Sequence, residues 1–316
     1  MGELEAAVHA VIHDCMGVRD GEQVLVVCSE ATEELARRLA DEARGAGAEA
    51  LLLSIAERTQ HGEEPPGAAA AAMAAADVVL IPTLKSLSHT AARREACAAG
   101  ARIATFPGVT AEMLARVMSG DLAALRRRSR AVAERLSAAG EARITCPRGS
   151  DLRLSLRGRE AIADGGELHE PGAFGNLPCG EGFIAPRHDE GGGTLVVDGT
   201  IGGIGVPPEP VRLRVEEGRL VEAEGTEGER LLAALSAAGE LGTCVAELGI
   251  GTNERAQLTG NLLEDEKIIG TCHVAFGASA GIGGEVQVPV HLDCVVMKPT
   301  VELDGEVLVR DGELVV

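Results

Sequence analysis

The sequence predicts an α/β N-terminal domain, with a parallel sheet and flanking helices, followed by a β-rich α+β C-terminal domain. At 316 residues the chain is long for a single core, and its length suggests about two domains. Strand and helix signals alternate in the first part of the chain, whereas the later sequence alternates apolar and polar residues with period two. We therefore predict domains at residues 1–143 and 144–316.

The N-terminal part predicts four buried strands separated by helices. Apolar, β-branched runs occupy residues 22–29, 48–55, 76–83 and 101–109. The Ala-rich segment AAAAAMAAA lies between the second and third runs, and one long helix is expected over residues 110–140. Strands that alternate with helices of this length indicate a parallel layer covered by helices on both faces.

The C-terminal part predicts antiparallel hairpins. Segments such as VRLRVEEGRLVEAEG alternate apolar and polar residues between Asp-Gly, Glu-Gly and Gly-Gly turns. One helix, GERLLAALSAAG, interrupts them. Glycine-rich stretches at 202–205 and 281–284 are interpreted as turns, because neither lies between the strand and the helix of a βαβ unit, where a phosphate-binding loop belongs.

Composition and charge exclude several classes of partner. The formal net charge of -20 disfavours nucleic acid and anionic membrane surfaces, which carry the same sign. No run of 18 apolar residues is present, and the N-terminus lacks the pattern of a signal peptide. Eight scattered cysteines, without a CxxC pair, are typical of free thiols in a reducing compartment, so we expect a cytoplasmic protein.

Five candidate ligands lie in apolar or glycine-rich surroundings. The segment HLD places two of them on one face of a strand, because side chains alternate along a strand. Alone, such a pair is more typical of a buried hydrogen bond. Together, three carboxylates and two imidazoles are typical of a divalent metal site and suffice for two ions that share a carboxylate. The five residues are Glu181, Glu247, His273, His291 and Asp293.

The motifs that carry these residues resemble a known family. NLPCGEGFIAP, ELGIGTN, TGNLLEDEKIIGTCHVAFG and HLD resemble, in this order, the motifs of the aminopeptidase T family, the M29 metallopeptidases. The resemblance covers most of residues 143–316 and is looser before them. It implies that the five residues hold a pair of Zn, Co or Mn ions, that the substrate is a small peptide, and that the protein is a homodimer.

The main prediction is therefore a metalloaminopeptidase that uses a metal-activated water. In this interpretation Glu266, in the run EDEK, is the general base and Glu181 is also catalytic. An exposed turn explains EDEK equally well. Two features depart from the peptidases: the chain has no tyrosine, although the family carries one shortly after the third motif's histidine, and the segment between His273 and His291 is shorter.

A second resemblance gives an alternative function. The 2,5-dihydroxypyridine dioxygenases resemble these aminopeptidases in fold, and they use one Fe(II) held by two histidines and an aspartate. His273, His291 and Asp293 would supply that set, while Glu181 and Glu247 would contact the substrate or orient the ligands.

This alternative also needs an acid or base near the ring, and three further histidines are candidates: His89, His169 and His188. His188 follows Glu181 by seven residues, and His89 follows a parallel strand's carboxyl end, where binding groups often lie. A third possibility is a metal-binding protein without catalytic activity.

Overall fold

The computed structural model describes residues 2–316 and divides them into two compact units. The first comprises residues up to Asp121 together with Gly166–Cys179, and the second comprises Leu122–Gly165 and Gly180–Val316. The boundary that we predicted at residues 143–144 lies inside the second unit. Tertiary pairing accounts for the returning segment, because a short strand within it joins the first unit's sheet.

The regular elements run as follows. The helices are α1 (Glu3–His9), a π-helical turn (Ala10–Cys15), α2 (Glu33–Gly45), α3 (Gly67–Ala75), α4 (Ala91–Ala98), α5 (Ala111–Met118), α6 (Leu122–Ala138), α7 (Gly225–Ser236) and α8 (Leu262–Asp265), with short 3₁₀ turns at Glu30–Thr32, Glu240–Thr243 and Ala280–Ile282. The strands are β1 (Gln23–Cys28), β2 (Glu49–Ser54), β3 (Val78–Ile81), β4 (Arg102–Thr105), β5 (Glu141–Thr145), β6 (Asp151–Ser155), β7 (Ile162–Asp164), β8 (Phe174–Asn176), β9 (Glu181–Ile184), β10 (Gly192–Val197), β11 (Val211–Glu216), β12 (Arg219–Ala223), β13 (Val245–Gly251), β14 (Cys272–Gly277), β15 (His291–Val296), β16 (Thr300–Leu303), β17 (Glu306–Arg310) and β18 (Glu313–Leu314).

The first unit is built on a parallel sheet of order β2-β1-β3-β4-β8. The first four strands confirm the predicted apolar runs. Helices pack against this sheet through small residues, and Ala69 and Met73 of α3 are fully buried against Val79 and Ile81. The Ala-rich segment is thus explained by close packing of a helix on the sheet.

The predicted long helix at 110–140 is wrong in one respect, because it is two helices. α5 ends at Met118 and α6 begins at Leu122. The intervening Ser-Gly-Asp sequence explains the break, since glycine is costly inside a helix and Ser and Asp compete for backbone hydrogen bonds.

The second unit contains two largely antiparallel sheets. One has the order β12-β11-β10-β6-β5-β16-β17-β18, and the other has the order β15-β14-β13-β9-β7. Burial alternates along β11, where Val211, Leu213 and Val215 are buried and the residues between them are exposed, as period two requires. Apolar side chains from both sheets form one core, which includes Leu213 of β11 and Val274 and Phe276 of β14.

The predicted fold class is confirmed: a parallel α/β unit is combined with a β-rich unit that contains few helices. Within residues 2–316, no helix is both long and apolar enough to cross a membrane.

Candidate metal centre

One face of the sheet β15-β14-β13-β9-β7 carries the predicted ligands. In the strand ladder, Asp293 lies opposite Ala275 and His273 lies opposite Gly249. The alternate residues of these strands, such as Leu248 and Val274, enter the apolar core. Because a strand's side chains alternate, the register that buries Leu248 and Val274 sends Glu247 and His273 to the other face.

Glu247 lies at the middle of this polar face. Its Oε1 lies 3.3 Å from Nε2 of His273, and its Oε2 lies 3.4 Å from Nε2 of His291. Nε2 of His291 is also 3.4 Å from Oδ1 of Asp293, and Nε2 of His273 is 3.2 Å from Oε2 of Glu181. The structure therefore brings all five sequence-predicted ligands together.

The donor atoms form overlapping triads in which all atoms lie within 4.8 Å of one another. One triad combines Glu181, Glu247 and His273, and a second combines Glu247, His291 and Asp293. A third includes Glu266 beside His273 and Asp293. Imidazole nitrogens and carboxylate oxygens at these separations are the donors that divalent transition metals bind.

Gly249 makes room for the imidazole of His273. A Cβ atom at position 249 would lie 2.1 Å from Nε2 of His273, which is far inside van der Waals contact. A glycine at position 249 is therefore required by the side chain of His273 on the neighbouring strand.

The two imidazoles differ in how they are held. Nδ1 of His291 donates a hydrogen bond to the carbonyl oxygen of Ala278 at 2.7 Å, which directs Nε2 toward the carboxylates, as outer hydrogen bonds do for metal ligands. Nδ1 of His273 is buried without a hydrogen-bond partner among the described residues. His273 is therefore positioned by packing and by its Nε2 contacts.

The charges of this cluster shift the pKa of each histidine. Burial alone would lower the pKa of His273, but its hydrogen bond to Glu247 and the surrounding carboxylates raise it to about 9. Burial also opposes protonation of His291, but the charges and hydrogen bonds of Asp293 and Glu247 together raise its pKa well above the usual value. The site thus attracts positive charge, in the form of protons or of a metal ion.

The carboxylates respond in the opposite sense. Burial raises the pKa of Glu247 and of Asp293, yet hydrogen bonds and charge from the histidines bring both below their ordinary values. Glu266 differs, because burial raises its pKa to about 8, with Glu181 and Asp293 adding to the effect and Lys267 opposing it.

Lys267 is a further member of the site, and no sequence motif marked it as one. Its side chain is 1% exposed, and its Nζ donates to Oε1 of Glu181, to Oε1 of Glu266 at 2.8 Å, and faces Oδ2 of Asp164 at 3.8 Å. Burial lowers the pKa of Lys267, but the charges of Glu181 and Glu266 raise it well above the usual value. It is therefore a buried ammonium.

The interpretation of EDEK as an exposed turn is wrong, because all four residues are buried. The backbone explains this: Asn253 donates its N–H to the carbonyl of Lys267 at 2.9 Å, and Ile269 donates to the carbonyl of Asn253 at 3.0 Å. These bonds hold the segment after α8 against the sheet. Asp265 faces the other way and accepts hydrogen bonds from the backbone N–H groups of Thr259 and Gly260.

The formal charges of the cluster favour a bound cation. The cluster contains one lysine, Lys267, and five buried or nearly buried acids. The acids are Asp164, Glu181, Glu247, Glu266 and Asp293. Burying uncompensated charge costs several kcal/mol per ion. The donor set and its excess negative charge therefore fit a divalent metal.

The three additional histidines lie outside this cluster. Nδ1 of His188 is 3.6 Å from Oε2 of Glu285, beyond the end of β9. His89 and His169 belong to the first unit, where Nε2 of His169 bonds to the carbonyl of Asp14 at 2.9 Å.

The fold and this cluster together define a metal-dependent enzyme. The family model of 2,5-dihydroxypyridine 5,6-dioxygenase (NicX) matches residues 3–316, and the chain belongs to this family. No curated protein matches the chain.

Two solved structures share the fold. A 2,5-dihydroxypyridine dioxygenase from Pseudomonas putida KT2440 is similar with a TM-score of 0.85 and 23% identity, over 99% of this chain and 96% of that one. Wild-type AmpT from Thermus thermophilus is similar with a TM-score of 0.72 and 21% identity, over 99% of both chains. The predicted relationship between these folds is confirmed, whereas membership of the M29 family is not.

Proposed function

We propose that the chain is a ring-cleaving dioxygenase that uses one Fe(II) ion and acts on a dihydroxylated pyridine. This function is the alternative predicted from the sequence, and it is preferred over the aminopeptidase because the family match supports it. His273, His291 and Asp293 would hold the metal, and they supply the two histidines and one carboxylate of the set that leaves positions open for substrate and oxygen. Asp293 lies in one triad with His291 and in another with His273.

Lys267 is the observation that carries the choice of one ion. A second ion in this cluster would use Glu181 and Glu247, which are the carboxylates that the first three ligands leave. The Lys267 ammonium is bonded to Glu181 and also to Glu266. It compensates charge that a second divalent ion would otherwise neutralise, and it repels such an ion at close range.

A bound Fe(II) supplies the redox chemistry by which dioxygen opens the ring. The protein's own groups prepare the site. His291 keeps its proton on Nδ1, where the carbonyl of Ala278 accepts it, so that Nε2 presents its lone pair. Glu247 lies beside both Nε2 atoms, so its negative charge favours a cation at that position.

Glu266 is the proposed proton acceptor for a ring hydroxyl. A carboxylate oxygen of Glu266 lies in one triad with His273 and Asp293, so a substrate bound at the metal would lie beside it. The hydroxyl proton would pass to the deprotonated form of Glu266, which becomes populated as pH rises toward its pKa of about 8, and the resulting oxyanion would be a better donor to the metal. Lys267, bonded to the same carboxylate at 2.8 Å, fixes its position.

The two-metal aminopeptidase is a second candidate, because the cluster offers a carboxylate that two ions could share. The first two triads share Glu247, as a carboxylate that bridges two ions would be shared. The likeness to AmpT adds the shared fold.

An oxygen-uptake assay distinguishes the two functions. The full chain is loaded with Fe(II) without oxygen and mixed with 2,5-dihydroxypyridine in aerated buffer; a parallel sample is loaded with Zn, Co or Mn and given a panel of dipeptides. We expect one equivalent of oxygen consumed per ring lost, absent in Asp293→Ala. Amino acid release without oxygen uptake would overturn the proposal in favour of the peptidase.

A further inference from the structure

A second histidine and carboxylate cluster lies in the first unit, at the start of the chain. His9 is the last residue of α1, His13 lies in the π-helical turn that follows, and Glu42 lies in α2. Nδ1 of His9 is 2.8 Å from Oε1 of Glu42, and Nε2 of His13 is 3.1 Å from the same oxygen. The three donor atoms all lie within 4.8 Å of one another.

These separations suit a tetrahedral ion. Zinc binds imidazole nitrogen and carboxylate oxygen at about 2.0–2.2 Å, so neighbouring ligand atoms in a tetrahedral shell are about 3.4 Å apart. The two nitrogen-to-oxygen distances to Glu42 are slightly shorter than this. Small side-chain rotations would therefore admit an ion between His9, His13 and Glu42.

The backbone brings the histidines to one side of the helix. His13 follows His9 by four residues, and the imidazole centroids are 4.1 Å apart. The turn that carries His13 is π-helical, with the N–H of Met16 bonded to the carbonyl of Val11 at 2.9 Å. π-Helical turns are rare in proteins as a whole, but those that occur are frequently found at functional sites.

Glu42 is available as a ligand. The neighbouring cation Arg38 is bonded to Glu34 at 3.1 Å and to Glu5 at 3.3 Å.

The cluster is open to solvent on one side. The side chains of His9, His13 and Glu42 are 47%, 34% and 33% exposed, so a metal ion can reach them from the surface. Three protein ligands with a further position left to water form a coordination pattern that zinc accepts.

We propose that His9, His13 and Glu42 form a surface site for a zinc-class transition ion, composed of first-unit residues alone. The ion connects the helix at the start of the chain to α2, so it stabilises the first unit in addition to any metal of the second. The site is independent of the proposed dioxygenase function.

Zinc counting tests this proposal. Zinc chloride is titrated into the full chain in competition with a chromophoric chelator, using the wild type, His13→Gln and Glu42→Gln. We expect the wild type to bind one zinc ion more per chain than His13→Gln, and Glu42→Gln to bind that ion at least tenfold more weakly. His61→Gln, which changes an exposed histidine of the same unit, serves as control and should match the wild type.

A second readout separates binding from folding. Without zinc, His9→Gln and His13→Gln should unfold at the same temperature as the wild type, because both side chains are partly exposed. With zinc, the wild type should gain more in melting temperature than either variant, since an ion that binds only the folded state stabilises it. Equal zinc content and equal gains in the wild type and both variants would overturn the proposal.

Discussion

The ammonium of Lys267 is buried against the carboxylate of Glu181, on the same sheet face that carries the histidines. A carboxylate that could ligate a second metal ion is therefore already paired with a cation. This relationship accounts for how the residues of a two-metal centre can be present in a site that we propose to hold one ion.

Replacing Lys267 with Met should increase the number of ions at the centre. Loss of the ammonium leaves Glu181 and Glu266 buried without their cation, a state that costs about 3 kcal/mol or more and that a second divalent ion would relieve. Metal analysis after dialysis against Mn should show one more ion per chain than in the wild type. Lys267→Arg, which keeps the charge, should show no gain, and unchanged metal content in Lys267→Met would contradict this role.

Asp293 and Glu181 should respond differently to removal of their charge. Asp293→Asn should lose iron, because it removes one of the three proposed ligands. Glu181→Gln should keep iron and lose roughly 10- to 100-fold in turnover, the usual effect of a residue that orients ligands. Iron content and oxygen uptake measured on the same samples check both statements. Loss of iron from Glu181→Gln would show that Glu181 is itself a ligand.

Gly249→Ala should disable the centre through a single methyl group. The new Cβ would lie 2.1 Å from Nε2 of His273, so the imidazole must move by more than an ångström. A displacement of that size costs about 100-fold in rate and should weaken iron binding as well. Gly281→Ala is the matched control, because a Cβ there meets no atom within 4 Å; equal activity of the two variants would contradict the packing argument.

The ion pair between Arg102 and Glu22 should make the first unit's stability depend on pH. Nη2 of Arg102 lies 2.7 Å from Oε2 of Glu22, and both side chains are largely buried. Burial raises the pKa of Glu22, but the hydrogen bonds from Arg102 and from the backbone of Arg19, together with the charges of both arginines, lower the folded-state pKa below its ordinary value. The pair's contribution is then present above the ordinary glutamate pKa and is lost as pH falls through the lowered value.

Glu22→Gln measures this contribution. At pH 7 it should reduce the free energy of unfolding by about 3 kcal/mol, because it leaves a buried guanidinium without its partner. Denaturant titrations should show the difference from wild type shrinking below pH 4.5, the ordinary value for Glu22. Asp41→Asn, which disrupts an exposed pair with Arg44, should change little at either pH. A difference that grows toward acid pH would contradict the sign.

Strand alternation and motif order were sufficient to find the five-residue cluster. The spacing of His291 and Asp293 fixes a shared face once the strand is assigned, and the ladder then brings His273 and Glu247 beside them. Gly249 was visible in the sequence, but the reason for a glycine there is the imidazole of His273 on a neighbouring strand.

Lys267 and β8 were missed because their environments are formed by tertiary contacts. EDEK has the composition of an exposed turn, and backbone bonds to Asn253 bury it. Phe174–Asn176 is too short and too poor in β-branched residues to predict a strand, and pairing with β4 alone defines it. The Ser-Gly-Asp sequence between α5 and α6 indicates a break, but the amphipathic pattern on both sides of it favoured the prediction of one continuous helix.

The most direct test of the single-metal dioxygenase is anomalous diffraction at the iron edge from crystals of the full chain saturated with Fe(II) under anaerobic conditions. We predict one iron at the second unit's centre, bound by His273, His291 and Asp293, with Lys267 still against Glu181. Two metal ions at that centre, one of them bound by Glu181 in place of Lys267, would contradict the account.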